Sequence, residues 1–159
     1  MEVRQRGWLG RECELVDGPQ VLALLSFAAM GEHGEAQAAD GRVWSIRRLP
    51  GFGPWQLADR SGVPLATATK DDAFRDRFTL TWRDADRLRL ERRSNVGRRL
   101  LIAVDLTTGT DVGRVEERGF TGRVTTLQLP VLPDEVLALV AWLVGMLSHR
   151  DAAAVAAQN

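Results

Sequence analysis

Few side chains in this sequence could do chemistry, and those few are scattered. His33 stands near Glu32 and Glu35, a trio able to touch a cation. One imidazole and two carboxylates in a glycine-flanked loop fall short of the ligand sets that define metal centres. His149 closes the last apolar run, where an imidazole serves a helix C-terminus as a cap. Cys13 is the only cysteine, so no internal disulfide and no cysteine-based zinc site can form. A thiol becomes a nucleophile only beside a base that lowers its pKa, and no local signature supplies one. Asp71 with Asp72, and Asp84 with Asp86, are carboxylate pairs suited to acid–base work. Both sit at turn signals, where Asp belongs for conformational reasons. No nucleophile elbow, phosphate-cradling loop or Rossmann fingerprint occurs. The expectation is a protein without a catalytic constellation, a metal or a cofactor.

The best functional signal is basic. Arg92, Arg93, Arg98 and Arg99 flank the loop 94–97. Facing each other across a hairpin, they would make a four-arginine tip able to grip a phosphate or an anionic headgroup. Arg47 and Arg48 form a further basic pair. Lys+Arg and Asp+Glu are each 21, so the formal charge is zero, which argues against a general nucleic-acid binder. Lys70 is the only lysine. The Arg, Ala, Val and Gly bias is that of a GC-rich genome, and a bacterial source is expected. The partners expected are an anionic lipid or phosphorylated ligand, or a protein, and no nucleic acid.

The elements that must position these residues are short and extended. Residues 77–83 alternate, with Phe78, Leu80 and Trp82 on one face. Residues 87–92 alternate again with Leu88 and Leu90, and the pair reads as a hairpin about the turn 84–86. Residues 12–16, 42–48, 55–59, 63–69, 99–105, 112–116 and 123–129 add further strands, separated by Asp-Gly and other turn signals. Residues 21–30 suit a strand or a helix; the flanking turn residues favour a strand. Residues 1–11 read as a polar arm or a short edge element. Residues 31–35 read as a loop and 36–39 as featureless. About ten strands at near-regular spacing predict an all-β sandwich or barrel.

Residues 136–147 are apolar without a break and have no polar face at any helical phase. A helix of that kind must be enclosed by protein or by lipid. The run is 12 residues long, short of the roughly 18 to 20 needed to span a bilayer. Pro133 suits the first helical position, and Asp134 and Glu135 suit the positive end of the helix dipole. Gly145 would permit close approach of a neighbouring strand, and Trp142 needs a partner for its indole N–H if buried. The predicted architecture is a mainly β fold: a closed or nearly closed antiparallel β-barrel of many short strands around a hydrophobic C-terminal α-helix. It forms one domain over 1–159, with its core at about 12–150. No secretion signal is read at the N-terminus, and the single thiol points to the cytoplasm, with contact to the membrane, if any, peripheral. The alternative is a membrane-associated protein anchored through the C-terminal hydrophobic helix.

Residues 38–48 and 56–66, two strands that share an Asp-x-x-Gly or Asp-Gly turn, are followed by a meander and the apolar helix. Together they resemble the tubby-like superfamily, which includes tubby C-terminal, LURP-one-related and phospholipid scramblase-like domains. The resemblance spans roughly residues 12–150. It implies a closed antiparallel barrel with a hydrophobic helix threaded through it. It also implies a binding or scaffold role, with phosphoinositide headgroups bound in tubby-type members. The acidic calcium loop of scramblases and the Lys-containing headgroup pair of tubby domains have no counterpart in this sequence.

Overall fold

The computed structural model describes residues 1–6, 11–28, 33–71, 75–93, 99–118 and 124–156. The strands are β1 (Glu2–Arg6), β2 (Glu12–Asp17), β3 (Gln20–Phe27), β4 (His33–Ala38), β5 (Val43–Arg48) and β6 (Trp55–Ala58). They continue as β7 (Pro64–Lys70), β8 (Arg77–Trp82), β9 (Ala85–Arg92), β10 (Leu100–Asp105), β11 (Asp111–Arg118) and β12 (Val124–Gln128), and one helix, α1 (Asp134–Ala156), follows. Each strand pairs antiparallel with its neighbours in sequence, and β12 closes the barrel on β1. The closing ladder pairs Glu2 with Thr126, Val3 with Thr125 and Arg4 with Val124.

The helix fills a lumen that side chains alone would not. Eight strands give an interior about wide enough for their own side chains, and diameter grows with strand number. Twelve strands therefore leave room for a helix. Residues 136–147 of α1 are all buried, most of them at 0–1% exposure, as an all-round apolar surface requires. The inward residues are graded to match. Ala23, Gly34, Ala36, Ala38, Ala66 and Ala68 lie on β3, β4 and β7, strands that α1 packs against. Trp44, Ile46, Trp55, Leu57, Phe78 and Leu80 fill the remaining space from β5, β6 and β8. No helix among the described residues is long and apolar enough to cross a membrane. The apolar surface of α1 is already enclosed, so an anchoring role for it would require the barrel to open.

Two close approaches set the position of α1. The Trp142 indole N–H donates to the Ser26 carbonyl oxygen at 2.9 Å. Gly34 lies beside that bond, and a Cβ there would stand 2.1 Å from the Ser26 oxygen and 2.4 Å from Trp142 Nε1. Gly145 plays the same part lower on the helix, where a Cβ would meet the Phe27 ring at 2.6 Å and Cys13 Sγ at 3.2 Å.

The structure departs from the sequence expectations in several places. Residues 2–6, read as an arm or an edge element, form the strand that closes the barrel. Residues 33–38, read as loop and featureless chain, form β4. Both have weak alternation, because their inward positions are few or small. The ambiguous stretch is a strand, β3, from Gln20 to Phe27. The hairpin between β8 and β9 turns at Arg83 and Asp84, both with positive φ (53° and 56°), rather than at 84–86. Two left-handed residues give the twist that a two-residue hairpin needs. Helix α1 runs to Ala156, so His149 and Arg150 lie inside it and do not cap it.

Because the strands alternate in direction, every connection falls at one of two ends. The turns after β2, β4, β6, β8 and β10 and the start of α1 share one end, the entry end. The remaining connections and the C-terminal part of α1 share the other, the exit end.

Candidate functional site

Of the arginines singled out by the sequence, Arg92, Arg93 and Arg99 lie at the exit end, and these three are engaged in ion pairs. Arg99 is 3% exposed. Its guanidinium pairs with Glu117 Oε1 at 3.2 Å and with Asp76 Oδ2 at 3.5 Å, and reaches the Leu147 carbonyl of α1 at 3.5 Å. Ser148 of α1 donates to the same Glu117 oxygen at 2.8 Å. Arg92 also pairs with Asp76, at 3.5 Å. Arg93 is exposed and pairs with Asp111 at 2.9 Å and Glu91 at 3.4 Å. Arg98 lies outside the described residues. Arg99 thus ties α1 to the barrel wall, and the ion pairs neutralise much of the charge of Arg92 and Arg93.

Removing a buried partner costs about 3–5 kcal/mol where it leaves a fully enclosed charge unpaired, but here Asp76 keeps Arg92 and Glu117 keeps Ser148. Asp76 and Glu117 keep 17% and 15% of their side-chain exposure, which lets water relieve part of that. Arg99→Ala is therefore expected to destabilise by about 2–3 kcal/mol, read from the urea midpoint.

Other bases reach the exit surface. Arg11, Arg47 and Arg75 are exposed there. Between β5 and β6 the chain forms a tight tip, closed by the Leu49 N–H bond to the Pro54 carbonyl at 2.9 Å. Phe52 sits on this tip with φ 59° and 89% of its surface exposed. The Arg48 guanidinium lies 5.3 Å from the Phe52 ring and 4.6 Å from the Trp55 ring. A large apolar ring held out in water beside a guanidinium is an unexpected surface feature. Sequence reading passed over Phe52, although its place between two glycines and two prolines marked it as a turn residue.

The entry end gathers aspartates. Every connection there contains or adjoins an aspartate: Asp17, Asp40, Asp59, Asp84, Asp105 and Asp134. Arg42, Arg60 and Arg83 in those connections, and the N-terminal ammonium 3.6 Å from Asp17, oppose them. Zero net charge thus hides a gathering of aspartates at one end, while among the described residues Arg11, Arg47 and Arg75 stand exposed at the other. The cause is local: turn chemistry favours Asp, and the up-and-down topology collects alternate turns at one end. Arg42 bonds Asp40 through Nε at 2.7 Å and Asp134 through Nη2 at 2.5 Å. The Arg42 amide, which donates to Asp40 Oδ1 at 3.0 Å, and then the Arg42 side chain hold the Asp40 carboxyl below its ordinary range.

The remaining candidates separate. His33 and Glu35 lie on the outer face of β4, exposed, and Glu32 lies outside the described residues. Asp71 accepts from Thr79 at 2.8 Å and stands 3.8 Å from Arg89, while Asp72 is outside the described residues. Asp86 accepts from Thr81 at 2.5 Å, as a hairpin contact. Among the described residues no three metal-ligating side chains gather. Cys13 faces α1, and burial pushes its thiol up to about 12. At pH 8 it is expected to resist a thiol-exchange reagent in the folded protein and to react fully in denaturant, which a colorimetric thiol titration reads directly. No family model, curated protein or solved structure matches this chain.

Proposed function

We propose that this protein is a non-enzymatic binding module that engages an anionic headgroup or surface through its exit end, and that it is a member of the tubby-like superfamily. The exposed arginines of the exit end, opposite the aspartate turns of the entry end, carry the functional reading, and the exposed Phe52 supports it. The closed barrel around a C-terminal helix supports the family. Arg11, Arg47 and Arg75 supply positive charge, while Phe52 supplies an apolar group to the interface. Arg92 and Arg99 contribute by holding the end together. Such a module works in a reducing compartment and meets a membrane peripherally.

Sedimentation with phosphatidylcholine vesicles, with and without phosphatidylserine, tests this reading. The protein is expected to pellet with the anionic vesicles at low salt and to be released as salt rises. Each arginine near an anionic surface contributes about 1 kcal/mol. Arg11→Ser, Arg47→Ser and Arg75→Ser together should therefore weaken binding about a hundredfold. Phe52→Ser should weaken it further without changing the salt dependence. Equal pelleting with neutral and anionic vesicles, or none with either, overturns the proposal.

A further inference from the structure

At the entry end a cleft opens between α1 and strands β2 to β5. Its volume is about 210 Å³. The walls are apolar: Leu15, Leu22, Ala23, Ala38, Leu137 and Ala138. The alanines leave the space, since longer side chains at those positions would fill it. The mouth is polar, with Asp40, Arg42 and Asp134, and Trp44 forms one side. Cavities of about 150 Å³ admit a benzene ring, and drug-sized ligands need roughly 300 Å³ or more. The volume therefore suits one ring or a short chain.

The mouth shows which head group it accepts. Arg42 is half exposed, yet its guanidinium is bound between two carboxylates and lies 5.2 Å from the Trp44 ring centroid. That is a cation held by two carboxylates and an aromatic ring. An anion entering the cleft would meet both carboxylates and find the guanidinium already engaged. A cation of the same size would replace Arg42 against Asp134 and keep its own apolar part in the cleft.

We propose that this cleft is a binding site for a small organic cation, an ammonium or guanidinium on an apolar stem, with Arg42 as the internal group it displaces. The site is at the opposite end from the surface proposed to meet anionic ligands, so either reading stands without the other.

Titration calorimetry with benzylammonium, benzyl alcohol and benzoate, three probes of one shape and different charge, tests the site. Arg42→Gln removes the internal competitor and is expected to bind benzylammonium at least tenfold more tightly than wild type. Adding Asp134→Asn to that variant should lose at least tenfold. Ala39→Trp introduces bulk at an exposed lining position and should abolish binding while leaving the thermal melt unchanged. Benzoate binding as well as benzylammonium overturns the proposal. So does affinity unaffected by Ala39→Trp, or no binding to folded Arg42→Gln at millimolar probe.

Discussion

Leu139→Asp is expected to leave the chain without a cooperative thermal transition. Leu139 is at the centre of the apolar run of α1 and is 0% exposed. Truncating a buried leucine costs about 2–5 kcal/mol through lost transfer energy and the cavity left behind. An aspartate adds a carboxylate in a lumen lined by apolar side chains, where ionisation is strongly opposed and even the neutral acid needs partners. The sum rivals the roughly 5–15 kcal/mol that holds an ordinary domain together. Leu139→Met, which conserves volume, should stay within about 1.5 kcal/mol of wild type. Circular dichroism melts of the two variants separate the outcomes. A cooperative melt for Leu139→Asp within a few degrees of wild type would mean that α1 is not the core of the barrel.

The second large effect belongs to a residue without a side chain. Gly34→Ala is expected to destabilise by about 3–5 kcal/mol. The new methyl would meet the Ser26 carbonyl oxygen at 2.1 Å and Trp142 Nε1 at 2.4 Å. The first contact is backbone, fixed by the ladder in which Ser26 pairs with Glu35 and Phe27 with Gly34. Overpacking alone costs about 1–3 kcal/mol. Breaking the indole bond leaves a buried donor and acceptor to be satisfied, at about 1–3 kcal/mol more. A double-mutant cycle with Trp142→Phe isolates the shared part, because residues in contact do not add. The cycle should show a coupling above about 1 kcal/mol in urea denaturation. Independent, additive effects would mean that Gly34 does not serve the tryptophan.

These two positions also show how much was legible in advance. The apolar run 136–147 carried its own conclusion, since a helix without a polar face must be enclosed. Trp142 and Gly145 were read as needing a partner and a close neighbour, and Ser26 and Phe27 fill those roles. Gly34 was read as a loop glycine, because its reason for lacking a side chain lies in the Ser26 carbonyl on the neighbouring strand and in Trp142, 108 positions away. The arginines show the same division. Their clustering in sequence was plain, but Arg99 turns inward to Glu117, Asp76 and the backbone of α1, whereas Arg47 and Arg75, less conspicuous in the sequence, reach the surface.

Alternation, turn residues and an unbroken apolar run are local signals, and they sufficed for a barrel of short strands around a C-terminal helix. β8 and β9 were legible for that reason, since each pairs with its neighbour across a short turn. A closed or nearly closed barrel was expected, but the strand that closes it was not legible, because Val3 pairs with Thr125 across almost the whole chain and no short window contains both. The charged ends were not legible either. Composition averages to zero, and only the alternating direction of twelve strands collects the aspartate turns at one end. Pairing partners and spatial sorting depend on long-range hydrogen-bond register, whereas the tendency of each short stretch to extend, turn or coil depends on its own side chains.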